Sequence, residues 1–252
     1  MRTIDELSSE QRACYHEQGF VRLPGFAEPA LCQRMLDRVI QIARAHADGE
    51  PGTPGFVLPE ANLSGRSGAP EQLVSKIFRL HRDRVFADFA GSDRVTDLLV
   101  GLIGPSIDCF LSQFIFKNPA AWGQPWHQDS FYFDFRPARP VVGVWLAVTE
   151  ATLENGCLHV LAGSHREPIH EHVPDRRPGA NYGYVEIVDH DMGRAEPVLM
   201  DPGDLLLFDS HLMHRSTDNK SDGFRAAMVY HYAATGIADL GPGLLNDFVT
   251  VR

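Results

Sequence analysis

The sequence predicts a mainly β protein, a double-stranded β-helix (jelly roll) supported by N-terminal α-helices. Three observations carry that prediction. After Pro105 short β-rich runs recur, at 107–117, 126–133, 141–149, 156–161, 182–188, 197–200, 204–209, 213–216 and 224–232. Turn signals such as Glu154-Asn155-Gly156 and Asp201-Pro202-Gly203-Asp204 punctuate them, and short strands at this spacing build sandwiches and barrels. Before Pro105 the apolar residues recur at helical spacing instead. The expected organisation is a single domain over residues 1–252, helical to about 105 with the jelly-roll core over about 106–235.

Taken in order, Ser8 or Ser9 can cap a first helix running to Gln18, which Gly19 ends. Phe20-Val21-Arg22-Leu23 alternates like a short strand. Pro29 suits the first turn of a long amphipathic helix with Leu31, Met35, Leu36, Val39, Ile40 and Ile42 on or near one stripe. Residues 47–70, rich in Gly, Pro and Ser, read as a mobile surface loop of the kind that covers a site. A third helix follows Ser92 through Val95, Leu98, Leu99 and Leu102 and stops at Gly104-Pro105.

Composition narrows the function classes. Lys and Arg number 23 against 33 Asp and Glu, a formal net charge of −10, so a nucleic-acid or anionic-membrane surface is disfavoured. No apolar run reaches the roughly 18 residues of a membrane span, and the polar start of the chain has no secretory h-region. Cys14, Cys32, Cys109 and Cys157 are scattered without a Cys-x-x-Cys pair. Four buried free thiols in a reducing cytoplasm are therefore expected, and no thiolate metal site. Twelve histidines are an excess that invites a search for metal or acid–base chemistry.

Trp126-His127-Gln128-Asp129 is the most informative stretch. On a strand, positions i and i+2 share a face, so His127 and Asp129 would aim an imidazole and a carboxylate at one point. Such a pair supplies two of the three ligands of a facial triad, although a lone His-x-Asp also fits an ordinary surface pair. A third ligand must come from another strand, and His211 and His214 are the candidates. Arg225 follows across the polar turn 217–223, as in a hairpin returning to the same sheet. Read as a surface residue it is unremarkable. Set between Phe224 and Ala226-Ala227-Met228-Val229, it is an inward charge that needs an anion. Its fork would suit the far carboxylate of a dicarboxylic cosubstrate, with the Ser216 hydroxyl beside it.

These blocks resemble the phytanoyl-CoA dioxygenase family of Fe(II)- and 2-oxoglutarate-dependent oxygenases, whose core is a cupin-like jelly roll. The resemblance runs from about Lys76 to His231. It rests on His127-Gln128-Asp129, Tyr132-Phe133, Phe135-Arg136-Pro137, Trp145, Glu154-Asn155-Gly156-Cys157-Leu158 and Gly163-Ser164-His165. A second block follows in Gly203-Asp204-Leu205-Leu206-Leu207-Phe208, then His214, Ser216, Asn219 and Arg225. It implies His127, Asp129 and His214 as iron ligands and catalytic centre, and Arg225 and Ser216 as the clamp on 2-oxoglutarate. Trp145 corresponds to an indole lining that pocket or to a core aromatic. Gln113 matches a cosubstrate-contacting strand position, and Lys76 an upstream cosubstrate-contacting lysine or a solvated one. The implied reaction consumes dioxygen and 2-oxoglutarate and oxidises an aliphatic C–H bond of a small organic molecule, releasing succinate and carbon dioxide. Related halogenases carry a small residue where Asp129 stands, so halogenation is disfavoured.

Other residues receive plainer expectations. Lys117 is read as structural or at the rim. His16, His46, His81, His190 and His231 are read as surface or packing residues, and His165 as holding the family's turn. His159, His170, His172 and His211 could edge the active-site mouth. Phe131, Phe133 and Phe135 alternate and could line an apolar pocket or pack in the core. Ala162 replaces the proline common in the family, and 166–193 looks particular to this chain. Arg136, Arg139, Arg176 and Arg177 are the nearest basic residues to a coenzyme A site, with solvation the expected role. Two alternatives stay open: a cupin-type hydrolase or isomerase on zinc or manganese, and a non-catalytic metal- or small-molecule-binding jelly roll.

Overall fold

A computed structural model describes residues 6–51, 53, 55–136, 140–241 and 245–252. Its N-terminal helices start and stop where the chain supplies caps. Helix α1 (Ser9–Gln18) opens on a capping box between Ser8 and Gln11 and ends at Gly19, whose φ of 84° is left-handed. Strand β1 (Phe20–Leu23) follows, and then α2 (Pro29–Ala47) begins on its proline. Helix α2 buries Cys32, Met35, Val39, Ile42 and Ala43 along one stripe.

Residues 47–70 differ from the expected loop. They contain β2 (Phe56–Pro59), paired antiparallel with β3 (Val74–Phe78). The helical part of the chain therefore contributes edge strands to the sheet. Strand β2 is only four residues long and ends on a proline, which suits a sheet edge. Helix α3 (Arg84–Ala90), capped by Asp83, was not anticipated either, whereas α4 (Asp93–Ile103) starts from Ser92 as expected.

The core strands are β4 (Ile107–Lys117), β5 (Phe135–Arg136), β6 (Val141–Ala147), β7 (Leu158–Val160), β8 (His172–Pro174), β9 (Val185–Ile187) and β10 (Glu196–Val198). They continue as β11 (Leu205–Asp209), β12 (His214–Ser216), β13 (Arg225–Ala234), β14 (Ala238–Asp239) and β15 (Val249–Thr250). One large sheet runs β1-β11-β6-β13-β4-β3-β2, with β15 also on β4, and a small sheet runs β10-β7-β12. This is the jelly roll, with antiparallel pairing throughout.

Strand β13 lies between β4 and β6 and shows how the alternating pleat divides the interior. Ala226, Met228, Tyr230 and Tyr232 join the cluster that packs against α2, α3 and α4. The Tyr230 and Tyr232 hydroxyls donate to the carbonyls of Phe86 and Ala90. Ala227 and Val229 turn the other way, into a cluster with Trp145, Phe208, Leu158, Val160 and Val198 that joins the large sheet to the small one. Arg225 and His231 share their parity. The site therefore lies between the two sheets, on the face away from the helices.

The run 126–133 is not a strand. His127 makes an isolated bridge to His214, after which Asp129–Tyr132 form a 3-10 turn held by the Ser130 N–H on the Ser210 carbonyl. All four cysteines are free, Cys14 half-buried and the other three buried. No helix among the described residues is long and apolar enough to cross a membrane.

Candidate active site

The bridge between His127 and His214 brings together two imidazoles from distant stretches, with ring centres 4.2 Å apart. The His127 Nδ1 lies 2.8 Å from the Pro125 carbonyl, and His214 Nδ1 lies 2.9 Å from the Leu212 carbonyl. A carbonyl can only accept, so each Nδ1 carries the hydrogen and each Nε2 keeps a lone pair for a metal. Asp129 Oδ1 stands 3.4 Å from His127 Nε2 and 3.8 Å from His214 Nε2. The three side chains are buried and their ligand-type atoms lie within 4.8 Å of one another, close enough to hold one divalent cation. The 3-10 turn, rather than an extended strand, swings the Asp129 carboxylate onto this point.

Burial alone would raise the Asp129 carboxyl, but the surrounding histidines, His214 and His231 foremost, with the His231 Nε2–H donating to Oδ2, hold it well below the usual carboxylate range. Burial, reinforced by the nearby His127, pulls His214 down to about 4. The pocket thus favours an anionic carboxylate and a neutral imidazole, the forms that bind metal.

His231, expected on the surface or in packing, is packed inside against Phe110, Phe133 and Phe208, and it also meets Asp129. Its Nε2 is 2.7 Å from Asp129 Oδ2, which leaves Oδ1 as the oxygen facing the two imidazoles. The available signal was parity: His231 lies an even number of positions from Arg225 on one strand.

A second pole of the cavity is cationic. Arg225 is 1% exposed, and among the described residues only its Nη2 has a hydrogen-bond partner, the Gly156 carbonyl at 2.7 Å. Its Nε and Nη1 are buried without hydrogen-bond partners among the described residues, as is Trp145 Nε1, and the guanidinium carbon lies 5.5 Å from the Trp145 ring centre. Burial lowers Arg225 to about 10. Ser216 Oγ accepts from Lys117 Nζ at 2.9 Å and from the Gln124 N–H at 3.1 Å, so its own hydrogen is left to donate. Buried donors without acceptors carry a large desolvation cost. A bound carboxylate would relieve it, so the donor set fits a dicarboxylate.

Lys117 is not a rim residue. It is buried, donates also to the Thr217 carbonyl at 2.8 Å, and is held well below its ordinary value by burial and then by the Arg225 charge. Like Arg225, it lines the cavity. Ordinary strand alternation gave no distinctive signal for it, because β4 is buried along almost its whole length.

The turn glycine Gly156 makes this pole possible. Its φ is +87°, and an added Cβ would sit 2.4 Å from the Thr217 carbonyl oxygen and 2.5 Å from Lys117 Cδ. Gly156→Ala is expected to lower the folding free energy by about 1–3 kcal/mol through strain and overpacking. It should also displace the carbonyl that holds Arg225. An unchanged urea midpoint and unchanged 2-oxoglutarate affinity would refute this.

Both poles open into one cavity of about 590 Å3. Gln113, facing Val229 across the β4–β13 pairing, lines it, as do Lys76 and Trp145. Lys76 is buried rather than solvated: its Nζ donates to Gln124 Oε1 at 2.8 Å and sits 4.8 Å over the Tyr184 ring. The rest of the wall is mainly apolar, with Phe56, Leu58, Phe78, Leu111, Phe133 and Leu245.

Of the three phenylalanines, only Phe133 reaches this wall. Phe135 is buried in a cluster around Phe110, and exposed Phe131 stacks on His172. His211 sits outside the triad, against Ser130 and Asp209. The Gly163 turn holds His165, whose Nε2 lies 3.2 Å from the His16 carbonyl.

The basic residues considered for coenzyme A are engaged elsewhere. Arg136 pairs with Asp134, Arg176 with Glu186, and half-buried Arg177 with Asp175 and Asp218. Pro137 and Arg139 lie outside the described residues.

Comparison with known proteins extends the likeness well upstream of Lys76. The family model described as "Phytanoyl-CoA dioxygenase (PhyH)" matches residues 15–227. The chain is 32% identical over 240 residues to "Phytanoyl-CoA dioxygenase, peroxisomal" of Bos taurus, covering 92% of this chain and 70% of the relative. Among solved structures, EctD from S. alaskensis with 2-oxoglutarate and 5-hydroxyectoine has a TM-score of 0.71 at 21% identity, over 93% of this chain and 78% of that one. The non-heme alpha-ketoglutarate-dependent carbocyclase SnoK from nogalamycin biosynthesis has a TM-score of 0.69 at 18% identity, over 94% and 88%. At these identities the structural likeness speaks for the fold.

Proposed function

The chain belongs to the phytanoyl-CoA dioxygenase family, and from that premise we propose that it hydroxylates an aliphatic C–H bond of a small, largely apolar molecule. It is a non-haem oxygenase dependent on Fe(II) and 2-oxoglutarate. The observation that carries the reading is one cavity with two poles. Three converging metal-ligand atoms form the first, and an arginine with two unpartnered nitrogens forms the second.

We assign His127 Nε2, Asp129 Oδ1 and His214 Nε2 to iron. When bound, that iron supplies the dioxygen activation that protein side chains cannot. The chain's own groups do the positioning. The Pro125 and Leu212 carbonyls fix the imidazole tautomers, and His231 fixes the carboxylate. Arg225, with Ser216 donating beside it, takes the far carboxylate of 2-oxoglutarate. Trp145 closes that end, and Lys117 Nζ donates to Ser216 beside it. Gln113 and Lys76 contribute to the cosubstrate wall. The apolar wall from Phe56 to Leu245 excludes water and receives the substrate.

Hydroxylation is favoured over halogenation because Asp129 occupies the carboxylate position. The hydrolase or isomerase alternative leaves the buried Arg225 nitrogens unexplained. A reducing cytoplasm suits the free thiols, while the bovine relative's name is peroxisomal.

The test is an anaerobic titration with Fe(II) and 2-oxoglutarate. A weak visible charge-transfer band is expected, followed on aeration by succinate formation that candidate apolar substrates accelerate. Absence of both in folded protein would overturn the reading. His231→Ala should weaken Fe(II) affinity about 10–100-fold, the usual effect of losing a group that orients a ligand, while His231→Gln retains a donor and much of the affinity. Equal Fe(II) affinity in His231→Ala and the unaltered protein would remove His231 from this role.

A further inference from the structure

Outside the cavity, a second group of metal-ligand side chains gathers on residues 166–193. Glu167 Oε2 lies 3.0 Å from His170 Nε2 and 3.0 Å from His190 Nε2, and the two ring centres are 5.0 Å apart. Their ligand-type atoms fall within 4.8 Å of one another. All three residues are partly exposed, so the group is open to solvent ions.

The hydrogen bonding of His190 is the pointed observation. Its Nδ1 is 3.1 Å from the Asp191 carbonyl, which can only accept, so Nδ1 carries a hydrogen. Its Nε2 faces a carboxylate oxygen at 3.0 Å. The carboxylate can only accept, so either a proton on Nε2 or a bound cation must sit between the two atoms. The backbone carbonyl selects Nε2 as the metal-binding nitrogen, the same device seen at His127 and His214.

We propose that Glu167, His170 and His190 form a second site, for a divalent transition-metal ion such as Zn2+, separate from the cavity. One carboxylate and two imidazoles are a familiar donor set for zinc, leaving a fourth position for water. The ion would clip the start of the segment to its end. Between those ends, the β8–β9 hairpin region presents Tyr182, Gly183 and Tyr184 to the cavity. The clip also reaches the triad's own stretch: the His170 N–H donates to Gln128 Oε1, and the Gln128 N–H donates to His172 Nε2. Gln128 lies between His127 and Asp129. Binding here would order one wall of the mouth without touching the reacting atoms.

The test is equilibrium dialysis of metal-stripped protein against Zn2+ with elemental analysis, read as a difference between variants. Glu167→Gln and His190→Ala should each bind one ion per chain fewer than the unaltered protein, and Asp129→Ala should retain that ion. Loading it should also slow proteolysis within 166–193 in the unaltered protein and in Asp129→Ala, but not in His190→Ala. Glu167→Gln keeps a hydrogen-bonding side chain at a solvent-facing position, so loss of the fold does not confound the count. Stoichiometry unchanged in both Glu167→Gln and His190→Ala would overturn the proposal and leave His190 a doubly protonated partner of Glu167. Because the count is a difference, it holds even if the cavity triad takes up no zinc.

Discussion

Asp129→Ala is expected to cut iron-dependent 2-oxoglutarate turnover by about a thousandfold or more, equivalent to about 4 kcal/mol of transition-state stabilisation. The carboxylate is the only anionic ligand-type group of its cluster, and two imidazoles and His231 converge on it. Removing it leaves an uncompensated nest of nitrogen atoms and no negative charge for a dication. Asp129→Asn preserves the shape and an acceptor for His231 but not the charge, so it should fail nearly as completely. Circular dichroism and the urea midpoint establish that each variant is folded, and succinate release measures the effect. Turnover within tenfold of the unaltered enzyme in folded Asp129→Ala would exclude Asp129 from the metal.

The second large effect is at Arg225. Truncating one partner of a buried, charged hydrogen-bonded pair costs about 2–4 kcal/mol, so Arg225→Ala should raise the KM for 2-oxoglutarate about 30- to 1,000-fold. The KM for the prime substrate should change much less, because its apolar wall is formed by other residues. Arg225→Lys keeps a charge but loses the planar fork, and should recover only part of the affinity. The split between the two KM values separates loss of a cosubstrate anchor from general damage, which would raise both. An unchanged KM for 2-oxoglutarate would remove Arg225 from the clamp.

What was legible in the sequence follows from how local each signal is. Helices α1 and α4 carry their side-chain caps, and α2 its leading proline and apolar stripe, within a few residues, and all three form where expected. The convergence of His127, Asp129 and His214 was anticipated from the family resemblance, because local spacing left His211 and His214 both open. Its local reason was not: the strand expected at 126–133 gives way to a 3-10 turn tied to Ser210. Strands β2 and β3 were missed because each is short and acquires its pairing only in the sheet. Lys117, read as structural or at the rim, is structural, and His231, read as surface or packing, is packed inside; the polar partners of both were missed for a related reason. A lysine or histidine next to apolar residues is ordinary until a distant partner, here Ser216 or Asp129, arrives from another strand.

The single strand β13 carries the arginine at one end and the carboxylate's partner near the other, both on the inward-facing parity. Loss or gain of one residue between them would exchange inside for outside for whichever member moves. That stretch is therefore closed to insertions and deletions. The apolar wall is drawn in part from the β2 edge, the 182–184 tip and residue 245, all outside that strand. Descendants of this scaffold can acquire new substrates by trading those rim segments while the interior strand passes down untouched, and the same segments are where an engineer should graft.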